Sequence, residues 1–416
     1  MKKILILGAG TAGTMMANHL NRKINKKEWS ITIIDQYEKH YYQPGFLFIP
    51  FDVYSEKDVI KKKSQFIPKD VEFIQAPIKV IEADSNQVQL EDGRVIDYDI
   101  LIVATGCKIV PSEIEGMMDG WRKNIFDFYT IEGSVALRDK LRSWKGGKLV
   151  IHLAEMPIKC PVAPLEFTFL SDWFFAEKGL RDAVDITYVT PLSGAFTKQI
   201  CSNVLGYMLK DKNVNLVPNF DVSHVDAENN KLYSLGGQEI EYDLLVTIPP
   251  NMGDELIDRS GLGDELNFIP TDKNTLQSKQ HENIFVIGDA TDIPASKAGS
   301  VAHFEGEILV KNIMNYIKKK PLCAHFDGHA NCFIESGYNK AFLIDFNYEV
   351  EPVEGTFPMP GVGPFSLLKE TRINHLGKMA FKHIYWNMLL RGIPIPLVPP
   401  HMKTSGKNLS LITQKN

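Results

Sequence analysis

The stretch KKILILGAGTAGTMMANHLNRK, residues 2–23, decides the fold. It reads as a buried strand, a turn with Gly8, Gly10 and Gly13, and a helix; SITIID then supplies a second strand that ends in Asp35. In such a βαβ unit the glycines allow a tight turn, close approach of a pyrophosphate and close helix packing, while an acid after the second strand accepts ribose hydroxyls. The stretch therefore predicts a dinucleotide-binding unit.

The chain also repeats itself. QVQLEDGRVIDYDILIVATG (87–106) recurs in outline as NKLYSLGGQEIEYDLLVTIPP (230–250), and SITIIDQ (30–36) is similar to VDITYVTP (184–191). Each of the first pair is a hairpin that leads into a buried strand headed by Tyr-Asp. Repetition of this kind predicts two dinucleotide-binding units in series, the second beginning near Lys148.

The second unit has lost its ligand-binding signals. Where a glycine turn is expected the sequence reads LAEMPIKCPVAP (153–164), with Cys160 and three prolines. Its second strand ends at Thr190 rather than at an acid, so the usual ribose acceptor is missing. We expect that this unit does not bind NAD(P).

The remaining chain divides into a return to the first unit and a third region. HENIFVIGDATD and the following KAGSVAHFEGEILVKNI predict another buried strand, which ends at Gly288 and Asp289, and a helix. The predicted fold class is α/β, with two Rossmann-like domains in tandem, as in glutathione reductase, and a membrane-associating C-terminal region. The predicted boundaries are 1–110 with 265–325 for the first domain, 111–264 for the second and 326–416 for the C-terminal region.

Composition excludes several classes of protein. The 416 residues carry a net charge of -5, which gives no general reason to expect a nucleic-acid partner. The odd number of cysteines, 5, does not indicate a disulfide scaffold, and the 11 histidines lack the spacing of a zinc site, so we expect no metal. The N-terminus lacks the features of a secretory signal and no segment is apolar enough for a membrane-spanning helix, which predicts a chain that stays on the cytoplasmic side.

Together these motifs resemble the flavoproteins with two dinucleotide-binding domains, and more closely the sulfide:quinone oxidoreductases and the flavin subunit of flavocytochrome c sulfide dehydrogenase. The resemblance implies FAD as the cofactor. It places Pro44 beside the isoalloxazine and the Lys378 ammonium near flavin O2. The positions that match the family's FAD-binding motifs are Gly8, Gly10, Thr11, Ala12, Gly13, Asp35, Gln36, Pro44, Ala104, Thr105, Gly106, Gly288, Asp289, Lys297, Gly299 and Lys378.

The resemblance also implies a redox-active cysteine pair. Cys160 in KCPVAPLEF matches the first cysteine, and Glu166 matches an acidic residue near the flavin. Cys332 is the better match for the second cysteine, because it precedes an alternating, strand-like segment, whereas Cys323 follows KKKPL in a predicted surface loop. Cys107 follows the ATG of residues 104–106 and is interpreted, like Cys201, as a small buried thiol.

The implied reaction begins when hydrosulfide attacks a disulfide between the two cysteines, which leaves a persulfide and a thiolate. The thiolate then reduces the flavin, with Glu166 relaying the released proton. A quinone receives the electrons, and the aromatic residues proposed for its site are Phe333, Tyr338, Phe342 and Phe365. The sulfur product, the quinone and an association of identical subunits are left open.

An amphipathic helix is predicted from Leu376 to Arg391. Its apolar positions are Phe381, Ile384, Tyr385, Met388 and Leu389, its positive charges come from Lys378, Lys382, His383 and Arg391, and Trp386 adds an amphipathic ring. Such a helix lies in the headgroup layer of an anionic membrane or packs on the flavin domain. The resemblance favours the membrane, and hence a peripheral membrane protein.

Three other functions are weighed against sulfide:quinone oxidoreduction. A flavocytochrome subunit is normally exported, and no signal is present. An NADH:quinone dehydrogenase needs a glycine fingerprint in the second unit, where LAEMPIKC stands. A flavin-binding sensor or scaffold has no use for two cysteines at these positions.

Overall fold

The computed structural model describes residues 1–413. It opens with the predicted βαβ unit, in which the four apolar residues Ile4 to Leu7 of the first strand are all buried, as in the centre of a parallel sheet. The helices and strands up to residue 110 are β1 (Lys2–Leu7), α1 (Thr11–Asn21), β2 (Trp29–Asp35), β3 (Lys39–Tyr41), α2 (Glu56–Val59), β4 (Ile60–Lys62), β5 (Glu72–Gln75), β6 (Ile78–Glu82), β7 (Gln87–Leu90), β8 (Val95–Asp97), β9 (Ile100–Val103) and β10 (Cys107–Ile109).

The second region repeats this pattern. Its helices and strands are β11 (Ile125–Phe126), α3 (Ile131–Ser143), β12 (Gly147–Leu153), α4 (Ala163–Glu177), β13 (Val184–Val189), α5 (Gln199–Asp211), β14 (Asn215–Val217), β15 (Val222–Asp226), β16 (Lys231–Ser234), β17 (Glu239–Glu241), β18 (Leu244–Ile248), β19 (Asn251–Gly253) and α6 (Glu255–Arg259).

The last region contains one strand of the first sheet and a separate four-stranded mixed sheet. Its helices and strands are β20 (Ile284–Val286), α7 (Gly299–Ile317), β21 (Ala330–Gly337), β22 (Lys340–Phe346), β23 (Gly355–Met359), β24 (Gly363–Leu367), α8 (Arg372–Ile384), which continues as a π-helical segment over Tyr385–Leu389, and α9 (Ser410–Thr413).

Two parallel five-stranded sheets form the framework. The first has the order β20-β9-β1-β2-β5, and the second has the corresponding order β11-β18-β12-β13-β14. The hairpin sheets β6-β7-β8 and β15-β16-β17 also correspond. The predicted α/β fold with an internal repeat is therefore confirmed, while the exact residue boundaries of the domains remain a prediction.

The sheet order positions the site. β1 pairs with β2 on one side and with β9 on the other, so the strand order reverses at β1. Ligands of parallel sheets bind beside such a point, at the carboxyl ends of the strands. The mixed sheet β21-β22-β24-β23, in which β22 and β24 pair in parallel, brings β21 against α4, and α8 packs on β21 and β22. Elements from all three regions thus meet at one place.

Within residues 1–413, no helix combines the length and the apolar character needed to cross a bilayer.

Candidate active site

A cavity of about 380 Å³ lies at the carboxyl ends of β1 and β9, within the size range of small-molecule sites. It brings together most of the site residues predicted from the sequence. Its walls include Gly8, Gly10, Thr11, Ala12, Asp35, Pro44, Ala104, Thr105, Gly106, Cys160, Glu166, Gly288, Asp289, Lys297, Gly299, Cys332 and Lys378. Gly13 and Gln36 are not part of these walls.

The three glycines of the first turn have different surroundings. A Cβ on Gly8, which has a φ of +93°, would overlap the Ala104 carbonyl, and a Cβ on Gly13 would overlap the Gly8 carbonyl. A Cβ on Gly10 would meet no protein atom within 4 Å, although this glycine lines the cavity. Gly8 and Gly13 therefore serve backbone packing, and Gly10 leaves room for a ligand.

The carboxylate of Asp35 is fixed by the turn beside it. Its Oδ2 accepts a hydrogen bond of 2.7 Å from the Ala9 N–H and lies 2.5 Å from Lys63 Nζ. Burial lowers the pKa of Lys63, and the negative charge of Asp35 opposes this effect. Lys63 also lines the cavity, and sequence reasoning missed it because it lies outside any recognised motif.

Cys160 lies in the loop between β12 and α4, where the second unit has lost its glycines. It has a φ of +50°, a left-handed conformation that is uncommon for a residue with a side chain. Its N–H donates to the Lys297 carbonyl at 2.6 Å, and its own carbonyl accepts bonds from the Ala163 N–H at 2.9 Å and the Tyr129 hydroxyl at 3.2 Å. These bonds tie the cysteine loop to the segment that follows the Gly-Asp motif.

Cys332 approaches the same cavity from β21. Both cysteines are free thiols that line the cavity. Burial raises the pKa of Cys332 to about 11. The pKa of Cys160 is raised further, mainly by burial and to a smaller extent by the negative charge of Glu166. Both reduced sulfurs are therefore protonated at neutral pH and need a base in order to become thiolates.

Glu166, which lines the same cavity as the two cysteines, is a candidate for this base. It is fully buried, and its Oε1 accepts bonds of 2.7 Å from Lys378 Nζ and of 2.7 Å from the Glu335 N–H. Its Oε2 is buried and has no hydrogen-bond partner among the described residues. Burial raises the pKa of Glu166, although Lys378 opposes this effect. One carboxylate oxygen is thus held in place and the other remains open to a proton.

Comparison with known proteins identifies the family. A family model described as pyridine nucleotide-disulphide oxidoreductase matches residues 2–151. The mitochondrial sulfide:quinone oxidoreductase of Dictyostelium discoideum is 30% identical over 399 residues, which cover 94% of this chain and 86% of the relative. This chain belongs to the sulfide:quinone oxidoreductase family. The mitochondrial sulfide:quinone oxidoreductase of Mus musculus is 27% identical over 398 residues, which cover 94% of this chain and 86% of the relative.

A solved member of the sulfide:quinone oxidoreductases, from Aquifex aeolicus, has the same fold. It superposes with a TM-score of 0.79 at 21% identity, over 94% of this chain and 92% of the solved one. Membership of the family makes this chain an oxidoreductase with FAD as its cofactor.

The residues of the cavity fit FAD. The N-terminus of α1 and the open side of Gly10 offer a place for the pyrophosphate, and Asp35 stands where the ribose acceptor belongs. The buried Thr105 Oγ1 also lines the cavity and has no partner among the described residues, so it is available to a ligand. Lys297 Nζ donates to the Asp289 carbonyl at 2.9 Å and braces the Gly-Asp loop.

In this member of the sulfide:quinone oxidoreductase family, a tyrosine of the C-terminal segment also reaches the cofactor turn. The hydroxyl of Tyr385 lies 2.7 Å from Thr11 Oγ1 and 2.7 Å from His40 Nε2. Both Tyr385 and His40 line the cavity. Sequence reasoning did not identify either residue, because the contact joins positions that are 374 residues apart.

The other cysteines differ from the pair. Cys323 is exposed and lies outside the cavity walls, and Cys201 is buried in α5. Cys107 lines the cavity beside Asp289, with its Sγ 3.8 Å from the Asp289 Oδ2. Burial raises the pKa of Cys107 to about 12, but its side chain is only partly buried and faces the cavity, so its interpretation as a packed thiol stays a prediction.

The proposed aromatic residues of the quinone site do not all come together. Phe333 lines the cavity and contacts Phe365 edge to face, with ring centroids 5.4 Å apart. Tyr338, however, is bonded through its hydroxyl to Asp172 in a separate surface pocket, and Phe342 is buried. Of the four aromatic residues named from this region, Phe333 and Phe365 thus lie together, whereas Phe342 is on the opposite face of the sheet and Tyr338 is in the turn between β21 and β22.

The predicted amphipathic helix is also corrected. It begins at Arg372 rather than Leu376, and its last part is π-helical. Tyr385, Trp386 and Leu389 are buried, and Trp386 stacks on Phe66 at 5.3 Å between ring centroids. These three residues therefore pack on the flavin domain, and the prediction that they face a membrane is wrong.

Proposed function

We propose that this chain oxidises sulfide, using FAD to pass the electrons to a membrane quinone. The observation that carries the proposal is that Cys160 and Cys332, from different domains, line the same cavity as the FAD turn. The second unit has a cysteine where a glycine turn would bind NAD(P), so a sulfur compound is the expected electron donor. The two mitochondrial relatives that cover 94% of the chain are named as sulfide:quinone oxidoreductases.

The proposed reaction starts from a disulfide between Cys160 and Cys332. Hydrosulfide attacks one sulfur of this bond, which breaks, so that one cysteine becomes a persulfide and the other a thiolate. A further sulfur acceptor takes the sulfane sulfur from the persulfide, which leaves both cysteines as thiolates. Re-formation of the bond between them releases two electrons, and bound FAD would supply the two-electron acceptor for this step and the carrier that passes the electrons to quinone.

Glu166 is the proposed proton acceptor in this cycle. Its unpartnered Oε2 takes the proton that hydrosulfide or a cysteine thiol releases, while Lys378 holds Oε1 and keeps the carboxylate from turning away. Burial raises the pKa of Glu166 and so brings it closer to the pH at which the enzyme works, as an efficient general base requires.

For the quinone we propose the Phe333–Phe365 pair as one wall of the site. A Cβ on Gly377 would lie 2.6 Å from a Phe365 ring atom and 2.7 Å from a Phe333 ring atom. The glycine therefore lets both rings pack against α8, beside Phe381, which also lines the cavity. Aromatic faces of this kind stack on planar rings.

Membrane contact is proposed for the outer face of α8. Ile373 and Leu376 lie three residues apart on this helix and are 49% and 65% exposed. Further exposed apolar side chains are found in the neighbouring hairpin and after the helix, at Met359, Val362, Ile393 and Leu397. We propose that these side chains enter the lipid headgroup layer, so that a quinone reaches the cavity from the bilayer.

One anaerobic titration tests the proposal. Sulfide is added to the holoenzyme while the flavin absorbance is followed, and then quinone is added; NADH is added to a second sample. We expect bleaching by sulfide, recovery with quinone and no response to NADH. Bleaching by NADH but not by sulfide would instead identify an NADH dehydrogenase.

Variants locate the reaction on the cysteine pair. Cys160→Ser and Cys332→Ser are each expected to abolish bleaching by sulfide. Cys323→Ser is the matched control, because this thiol is exposed and outside the cavity walls, and it should bleach at the wild-type rate. Full-speed bleaching in either of the first two variants would refute the cysteine mechanism.

A further inference from the structure

The carboxylate of Asp35 already has most of its hydrogen-bond capacity filled by the protein. Its Oδ2 is contacted by the Ala9 N–H at 2.7 Å and by Lys63 Nζ at 2.5 Å. Its Oδ1 accepts a hydrogen bond of 2.9 Å from the Tyr37 N–H. A carboxylate offers about four positions to hydrogen-bond donors. With three positions filled, about one remains for a ligand, and it is on Oδ1.

One free position is too few for the ribose of the FAD adenosine. This ribose carries two neighbouring hydroxyls, and each of them can donate one hydrogen bond and accept others. One hydroxyl can donate to the free position of Asp35. Asp35 alone therefore does not hold both hydroxyls, and the second one needs a partner elsewhere in the cavity.

Lys63 supplies such a partner. Its ammonium contacts Asp35 and also lines the cavity. An ammonium has three N–H donors. Among residues 1–413, Asp35 is the one group that forms an ion pair or hydrogen bond with this ammonium, so two donors stay available to a ligand. The Lys63 side chain is 6% exposed, which keeps these donors largely away from solvent.

The surrounding backbone fixes the position of this lysine. The Lys63 N–H donates to the Glu38 carbonyl at 2.9 Å, and the Lys63 carbonyl accepts from the Phe66 N–H at 2.9 Å. Lys63 thereby begins the short 3-10 turn that follows β4. Because the side chain is already buried and ordered, it loses little conformational entropy when it binds a ligand.

The cavity continues past this pair to Tyr37. The Tyr37 ring lines the cavity, and its centroid lies 6.0 Å from Lys63 Nζ. Tyr37 is 62% exposed, so a face of its ring is open to a planar base. An aromatic face beside one acceptor and one donor matches the chemistry of adenosine, which joins a purine to a ribose diol.

We propose that Lys63 binds the adenosine ribose of FAD together with Asp35. One ribose hydroxyl donates to Asp35 Oδ1, and the other accepts a hydrogen bond from the Lys63 ammonium. The site thus selects a flavin dinucleotide with an intact ribose diol, because it uses one hydroxyl as a donor and the other as an acceptor. Hydrogen bonds to charged groups are strong enough for each to raise the affinity about 10- to 150-fold.

A competition between cofactors tests this site on the holoenzyme. Holoenzyme is exchanged against equal amounts of FAD and an analogue whose adenosine lacks the 2′ or the 3′ hydroxyl, and the flavins that remain bound after gel filtration are quantified. We expect the wild type to prefer FAD over each analogue at least about tenfold. A wild type that binds either analogue as well as FAD would overturn the proposal, and this result needs no variant.

Lys63→Met then identifies the group that holds the second hydroxyl. The variant should lose the preference against one analogue, whose missing hydroxyl the lysine binds, and keep the preference against the other. A general loss of structure would weaken the binding of FAD and of both analogues alike, and would leave both preferences unchanged. Lys62→Met is the matched control, because Lys62 is 65% exposed and pairs with Glu38, and it should keep both preferences.

Two results with Lys63→Met would overturn the assignment. If both preferences stay at the wild-type level, the ammonium does not bind the ribose. If both disappear, Lys63 acts only through Asp35. The inference goes beyond sulfide oxidation, since the bound flavins are measured without turnover. A failure of the proposed function would appear in the sulfide titration and leave these ratios unchanged.

Discussion

The ammonium of Lys378 lies 2.7 Å from Glu166 Oε1, joining the C-terminal helix α8 to the helix that follows Cys160. Both side chains are almost entirely enclosed, with 10% and 1% exposed. Burying such an ion pair costs desolvation free energy. Replacing only one of its two residues destabilises the fold further, because the remaining charge stays buried without a partner.

We therefore predict that Lys378→Met lowers the free energy of unfolding by ~3–5 kcal/mol. The double variant Glu166→Gln with Lys378→Met should lose less than the sum of its parts, since no charge is left uncompensated. Lys340→Met is the control, because the Lys340–Glu370 pair is 45% and 28% exposed and such pairs contribute about 0–1 kcal/mol. Denaturant unfolding compares the wild type with Lys378→Met, Glu166→Gln, their double variant and Lys340→Met, and additive losses in the double variant would contradict the prediction.

Two glycine substitutions should separate cofactor binding from folding. Gly10→Ala places a methyl group in the space kept for the cofactor, with no protein atom within 4 Å. Crowding of this kind costs ~1–3 kcal/mol, which weakens FAD binding about 5- to 150-fold, while the apoprotein should melt like the wild type. In Gly13→Ala the added methyl group overlaps the Gly8 carbonyl. We therefore expect this variant to melt at a lower temperature in addition to binding FAD more weakly. Equal FAD retention by Gly10→Ala and the wild type would show that the turn does not face the cofactor.

Glu305 should make stability depend on pH. Its carboxylate accepts a 2.7 Å hydrogen bond from the Gly288 N–H, and burial raises its pKa from 4.5 to about 7. A raised pKa favours the protonated carboxyl in the folded state, so this contribution is complete below pH 4.5 and lost as the pH rises to about 7. Glu305→Gln keeps an acceptor for Gly288 without the charge. The variant should match the wild type near pH 4.5 and exceed its free energy of unfolding by on the order of 3 kcal/mol above pH 7. A difference that does not change with pH would exclude Glu305 as the cause.

The outer face of α8 should govern membrane binding. Ile373→Ser with Leu376→Ser removes two exposed apolar side chains, each of which contributes ~1.5–3 kcal/mol when buried in lipid. Sedimentation with anionic vesicles should show at least about a tenfold weaker association. Tyr207→Ser and Leu235→Ser are the controls, because each of these side chains is 77% exposed and lies in the second domain. If the controls lose as much binding as the α8 variant, the association is not specific to this face.

The parts of the site that could be predicted are those in which a motif lies next to a strand end. Gly10, Asp35 and Cys160 each follow directly from a β-strand or βαβ pattern, and each lies beyond the carboxyl end of a strand, Gly10 and Asp35 in the first sheet and Cys160 in the second. Cys332 was found only through the family resemblance, because nothing local distinguishes it from Cys323 except the strand around it.

The parts that could not be predicted are contacts between distant segments. Glu335 and His375 meet only because β21 and α8 pack together, and neither carries a motif. Helical periodicity shows that one face of a helix is apolar but not what covers that face, which is why Trp386 was assigned to a membrane rather than to Phe66. Alternation across β21 and β22 likewise separates Phe342 from Phe333, and Tyr338 lies in the turn between the two strands.

The hydrogen bond between the Tyr385 hydroxyl and Thr11 Oγ1 has a consequence for how the enzyme is made. A ribosome completes the glycine turn 374 residues before it reaches the tyrosine that closes this turn. The nascent chain therefore carries an unfinished FAD-binding turn while those residues are added. Flavin insertion is accordingly expected to follow the synthesis of the C-terminal helix rather than that of the glycine turn.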